Sequence, residues 1–294
     1  YGGEDFDGAN SVVQTSDDGF ALAGRTESFG AGDDDVWLIK TDSAGNEEFN
    51  KTYGGADFDG ALSVAETSDG DFALAGSTES FGSGREDAWL IRTDSSGGVE
   101  FRETYGGVDS DSASSVAETS DGGLALAGRT ESFGAGDDDG WLIKTDGDGN
   151  EQFNKTFGGA DSDSAFSVAQ TSDGGFALAG STESFGAGFD DAWLIKTNSN
   201  GDEQFNRTFG GSSNDGAFSV VETSDGGFAL AGETSSFGPI DAWLIRTDED
   251  GVEQFNRTFG GQDTGGEPPS DSVESVIETS DGGFALAGRT ESFG

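Results

Sequence analysis

The sequence predicts an all-β chain built from tandem copies of one unit of four short antiparallel strands. Three observations predict it. The phrase Tyr/Phe-Gly-Gly recurs at Tyr1, Tyr53, Tyr105, Phe157, Phe209 and Phe259. Each unit carries four short apolar runs separated by Asp, Ser and Gly, the residues of tight turns. The 51 glycines in 294 residues suit turns, whereas each one inside a helix costs about 1 kcal/mol against Ala.

The second unit shows the elements in order. Ser63–Thr67 is the first strand, followed by the turn Ser68-Asp69-Gly70. Phe72–Gly76 is the second and is closed by a long loop. Ala88–Arg92 is the third, ahead of the turn Asp94-Ser95-Ser96-Gly97, and Val99–Thr104 the fourth. Phe72 and Leu74 alternate with Ala73 and Ala75, so a bulky face of one unit can pack on a small face of the next. Four strands at a period of about fifty residues are the signature of a β-propeller. The expected architecture is one propeller domain over 1–294, with blades 1–52, 53–104, 105–156, 157–208 and 209–258 and a partial one at 259–294. Six blades is the preferred count, with seven or eight open. The opening inside a motif and the absence of Met suggest a segment of a longer chain.

The order SVxxTSDGGFALAG, then DxWLIKTDxxG and a final Phe, resembles the strand sequence of WD-repeat blades. It is more similar still to secreted and surface β-propeller repeats of bacteria and archaea, in an acidic, haloarchaeal-type version. The resemblance spans the whole chain. It implies a fold, and only weakly an activity, because propellers host many functions.

Charge narrows the setting. The chain has 58 acidic and 14 basic residues, a formal net charge of −44. Such a surface repels nucleic acid and anionic membranes. Molar salt, with a Debye length of about 3 Å, screens the self-repulsion. We expect an extreme halophile's extracellular or cell-surface protein, a calcium-loaded surface protein being the alternative. No run of about eighteen apolar residues suggests membrane insertion. Without Cys or His there is no disulfide, no thiolate metal site and no His general base.

Candidate sites follow from the acidic loops. The pairs Asp5 and Asp7, Asp57 and Asp59, Asp109 and Asp111, and Asp161 and Asp163 put oxygen ligands at one end of the blades, which suits calcium. Their Asp-x-Asp spacing resembles integrin-type propeller loops, although the longer Asp-x-Asp-x-Asp-Gly cassette is missing; a solvated halophilic surface is the competing explanation. Asp35, Asp87, Asp139, Asp191 and Asp241 each stand two residues before Trp, as expected of carboxylates that fix a loop through backbone N–H groups. Thr171-Ser172-Asp173-Gly174-Gly175-Phe176 resembles a degenerate sialidase Asp-box, itself a structural motif. Exact repetition of nearly every carboxylate argues against a catalytic site, which needs a unique arrangement.

Asn50, Asn154, Asn206 and Asn256 begin Asn-x-Thr acceptor sequences on the fourth strand, the outer one of a blade, and are candidate glycosylation sites. The symmetry breaks at Pro239 and Ile240, and at Pro268 and Pro269, in two loops expected to be adjacent and offered as a partner site. The expected activity is non-enzymatic: a surface structural, adhesion or binding module. Its partners would be protein or glycan, or a second copy. The alternatives are a carbohydrate-binding or carbohydrate-active propeller and an intracellular scaffold. Burial of Phe29, Phe81, Phe133 and Phe185 would fit the structural module, and exposed aromatic rings between blades the carbohydrate one.

Overall fold

In a computed structural model, residues 1–261 and 270–292 are described. They contain 22 strands and, among the described residues, no helix. Five antiparallel four-stranded sheets follow chain order within each repeat, and a sixth sheet has two strands, Ser272–Glu278 and Phe284–Arg289. In the second blade the strands are Asp59–Glu66, Phe72–Thr78, Asp87–Thr93 and Val99–Tyr105. The first begins four residues earlier than expected, at the second Asp of the acidic pair. Asp59 and Gly60 pair with Thr78 and Ser77, so this polar stretch is strand and not loop. Hydrophobic alternation could not show it, because these residues are polar.

A β-bulge explains the interruption in the pattern. In every first strand one residue drops out of register: Asn10, Leu62, Ser114, Phe166, Phe218 and Glu274. The facing second-strand residue is always glycine. A Cβ on Gly24, Gly76, Gly128, Gly180, Gly232 or Gly288 would stand 1.8–2.0 Å from a first-strand carbonyl oxygen.

The chain divides into two compact units, Tyr1–Gly134 with Trp141–Thr156, and Ala135–Gly140 with Phe157 onward. Within the first unit, Ala21, Ala23 and Leu38 of one blade pack on Val64, Phe72, Leu74, Trp89 and Ile91 of the next. The same small-against-large contact joins Ala73, Ala75 and Leu90 to Val116, Leu126 and Trp141. In the second unit Ala177, Ala179 and Leu194 meet Phe228, Leu230, Trp243 and Ile245. The expected interdigitation is thus present in both units. Each of these large side chains contributes about 1.5–3 kcal/mol by leaving water.

A polar clasp closes the other end of each blade. Thr67 donates to Asp69 in the turn (2.6 Å), and Arg92, itself buried, reaches Asp69 at 2.6 Å and Glu100 at 2.9 Å. Lys40, Lys144, Lys196 and Arg246 make the corresponding contacts to Asp17, Asp121, Asp173 and Asp225. Five of only 14 basic residues are spent on this one structural task. The next blade adds a second link: Glu66, Glu118, Glu222 and Glu278 accept from the N–H and hydroxyl of Ser16, Ser68, Ser172 and Ser224.

Candidate functional site: the clefts between blades

The end of the blade carrying the long loops is built on buried aspartates. Asp59, Asp111 and Asp163 are buried, and Asp7 half-buried. Each accepts from a Thr hydroxyl of the second strand (Thr26, Thr78, Thr130 and Thr182) and from a backbone N–H of the Gly-Gly phrase, at 2.7–2.8 Å. The Thr26 hydroxyl, with Gly3 and Ser28 behind it and burial opposing them, holds the Asp7 carboxyl down at about 2. Asp5, Asp57, Asp109 and Asp161 are exposed, their backbone N–H groups bonded to Ser28, Ser80, Ser132 and Ser184. One carboxylate of each pair therefore turns into the blade and the other out to solvent. Among the described residues no group of three or more carboxylates is arranged to hold a metal ion.

The aspartates before Trp brace the long loop, as their spacing suggests. Asp35 accepts from the Ala31 N–H, Asp87 from Ser83 and Gly84, Asp139 from Ala135, and Asp191 from Ala187 and Gly188. Burial nonetheless pushes the carboxyls of Asp35, Asp139 and Asp191 above the ordinary Asp value. In the fifth blade the loop is shorter, and Asp241 Oδ1 is buried with no hydrogen-bond partner among the described residues.

The loop aromatics are not buried. Phe29, Phe81, Phe133 and Phe185 are 40–44% exposed, because each ring lies obliquely over the edge of a buried Trp with centroids 5.4–6.0 Å apart. Asn50, Asn154 and Asn256 are exposed and Asn206 half-buried on the outer strand. Their side-chain amides donate to Glu47, Glu151, Glu253 and Glu203 at 2.6–2.7 Å. Ile240 is exposed and pairs with Ser270 across a parallel bridge, the Asp271 N–H donating to its carbonyl at 2.9 Å, so the shortened loop meets the last residues of the lengthened one. Pro239 is half-buried; Pro268 and Pro269 lie outside the described residues.

Apart from Asp5, sequence reasoning did not single out the residues that line the clefts. In the first unit a cleft of about 300 Å³ is lined by Asn10, Arg25, Phe58, Leu62, Ser77 and Glu86. A neighbouring one of about 510 Å³ shares Phe58 and adds Asp5, Glu27, Asp33 and Asp34. In the second unit a cleft of about 180 Å³ is lined by Phe166, Ser181, Asp190, Asn214, Phe218 and Glu233. The two sets occupy the same positions of the repeat, and they are where the repeats disagree. The bulge position reads Asn10, Leu62, Ser114, Phe166, Phe218, Glu274, between neighbours that scarcely change. The second-strand position reads Arg25, Ser77, Arg129, Ser181, Glu233, Arg289. That internal variation was the available signal. A further cleft of about 570 Å³ at the clasp end has Asp69, Arg92 and Glu100 in its lining, charges already paired with one another.

No family model matches the chain. It is 31% identical over 186 residues to the regulatory protein FlaEY of Caulobacter vibrioides, a match covering 54% of this chain and 20% of that protein. The chain thus spans about a fifth of that curated relative. Among solved structures it is similar to the WD40 domain of Neurospora crassa Pan2, with TM-score 0.58, 10% identity, and 95% of this chain and 85% of that one covered. It is also similar to Chaetomium thermophilum Sqt1 bound to the N-terminus of ribosomal protein L10 (0.50, 14%, 92% and 78%). A third is a protein assigned as a gluconolactonase candidate (0.50, 11%, 96% and 89%). Identities this low speak to fold alone. With the four-stranded sheets and the blade-on-blade packing they make the chain a β-propeller.

Proposed function

We propose that this propeller is a non-catalytic binding scaffold that holds a protein partner in the clefts at the loop end of its blades. One observation carries this: within the strands, the positions at which the repeats diverge most in size and charge, the bulge residue and its second-strand neighbour, line the clefts. Packing keeps the strand cores uniform, whereas a partner without the repeat's symmetry needs a different side chain from each blade. The peptide held by the similar Sqt1 supports a protein as the partner class. Repetition of the carboxylates speaks against catalysis, and the similarity to a gluconolactonase candidate extends to fold only.

The charge of −44 and the Asn-x-Thr sequences support work at the cell surface or outside it, in high salt. A second assignment, glycan binding, is favoured by the exposed Phe29, Phe81, Phe133 and Phe185 rings, since sugars stack on aromatic faces.

Photo-crosslinking tests the main proposal. A crosslinking residue at position 62 or 166 should yield discrete protein adducts in cells of the source organism, and one at Ser95 or Asn200, in the hairpins of the clasp end, should not. Equal adducts from both ends, adducts from neither, or turnover of lactone or glycoside substrates would overturn it.

A further inference from the structure

In the first unit the chain sets a cation of its own in the wall of the cleft. The Arg25 guanidinium lies 4.9 Å from the Phe6 ring centroid and 5.5 Å from that of Phe58, and its Nη1 reaches Asp34 Oδ2 at 3.3 Å. A cation between two aromatic faces and beside a carboxylate is held by the ring quadrupoles and by charge. The ring contribution is about 0.5–1 kcal/mol at exposed sites and about 2 when desolvated.

The second unit has a related cleft without the cation: the positions of Phe6 and Phe58 read Ser162 and Asn214, and the rings stand instead at the bulge, as Phe166 and Phe218. Where Arg25 stands in the first blade, Ser181 stands in the fourth and Glu233 in the fifth. The rings of Phe166 and Phe218 meet edge to face, centroids 5.8 Å apart, beside Asp190 and Glu233. Glu233 is half-buried and accepts no hydrogen bond among the described residues. Burial pushes its carboxyl up, Glu274 adds to this, and Arg289 on the last sheet relieves it only in part. Among the described residues no basic one lines the cleft.

We propose that the Phe166–Phe218 cleft takes one arginine or lysine side chain presented by a peptide segment of the partner, where the first unit has Arg25 from the chain itself. This rests on the loop-end clefts being the binding surface, and it names the chemistry they read. Charge complementarity commits the occupant: a cation satisfies Glu233 and Asp190, whereas an acidic segment meets a chain of charge −44. At about 180 Å³ the cleft has room for a side chain and not for a folded element.

The test is NMR titration of the full chain, labelled at phenylalanine, in molar KCl. The probes are N-acetyl-arginine amide, N-acetyl-lysine amide and, as a neutral isostere, N-acetyl-citrulline amide. We expect saturable shifts at Phe166 and Phe218 with the two cations and none with citrulline, and at least a tenfold loss of affinity in Phe166→Ser with Glu233→Ser. Ser181→Arg, which places in the fourth blade the residue found in the first, should set a cation beside Glu233 and abolish the titration while thermal unfolding stays unchanged. Equal response to citrulline, shifts that never saturate, or a titration that survives Ser181→Arg would overturn the proposal. If crosslinking from position 166 captures a partner while the cationic probes fail, the binding surface stands and its cation specificity falls. If no adduct forms, the surface itself is lost.

Discussion

The two ends of a blade are built from the same residue types and do different work. Along the clasp the buried cations are paired within the chain and their set repeats almost without change: Thr, Asp, a buried Lys or Arg, and in most blades a Glu from the next, the hairpin tips alone varying. At the loop end the buried Asp and Thr repeat just as strictly, but the bulge residue, its second-strand neighbour and the loop tip all vary. The difference teaches where selection for packing stops. A residue held by its neighbours is copied, and a residue facing an open cleft is free to differ.

Salt is expected to have the largest effect on this comparison. Thermal unfolding should occur at a much lower temperature in dilute buffer than in molar KCl, because screening removes repulsion among 58 carboxylates. If millimolar calcium matches molar KCl, the outward Asp5, Asp57, Asp109 and Asp161 act as cation ligands; if it does not, they are solvated surface.

Substitution within one blade sets the two classes of residue side by side. Gly180→Ala should cost about 3 kcal/mol in urea unfolding, since its Cβ would meet the Ser164 carbonyl at 1.8 Å. Phe166→Ser, at the bulge, should change stability by about 0.5 kcal/mol or less, as Ser114 already occupies that place in the third blade. Comparable costs would mean that the variable positions are structural after all.

A smaller effect separates the regular loop from the shortened one. Asp191→Ala strips two backbone N–H groups of their acceptor and should cost about 1–3 kcal/mol. Asp241→Ala should be near neutral, its Oδ1 having no partner among the described residues. A large loss at Asp241 would show that it braces the short loop by another route.

The smallest effect is on pH dependence in molar salt. The Thr119 hydroxyl, against some burial and with Gly123 and Lys144 helping, holds Asp121 down at about 2. Its stabilisation is complete above the unfolded carboxyl value of about 4 and is lost as pH falls through about 2. Asp35, Asp139 and Asp191 are raised by burial, so protonating them favours the fold. Urea midpoints should therefore hold or rise slightly from pH 6 to 4 and fall only toward pH 2. A steady fall from pH 6 would refute this division of the aspartates.

By itself the sequence determined the blade. The Tyr/Phe-Gly-Gly period, the alternation of Phe72 and Leu74 with Ala73 and Ala75, and the turn Thr-Ser-Asp-Gly were all legible, because local turn chemistry and strand periodicity leave marks within a few residues. The brace from Asp191 to its loop was legible too, from its constant distance to Trp193. Tertiary structure decided the rest. Asp59 becomes strand and Asp57 turns outward because a bulge at Leu62 re-registers the polar start of the strand, which no hydrophobic pattern records. Phe185 stays half exposed because Trp193 beneath it already fills the space between strands. Phe166, Glu233 and Asp190 belong to one site only because neighbouring blades bring together positions far apart in the chain, and a cleft is a property of that packing rather than of any stretch of residues.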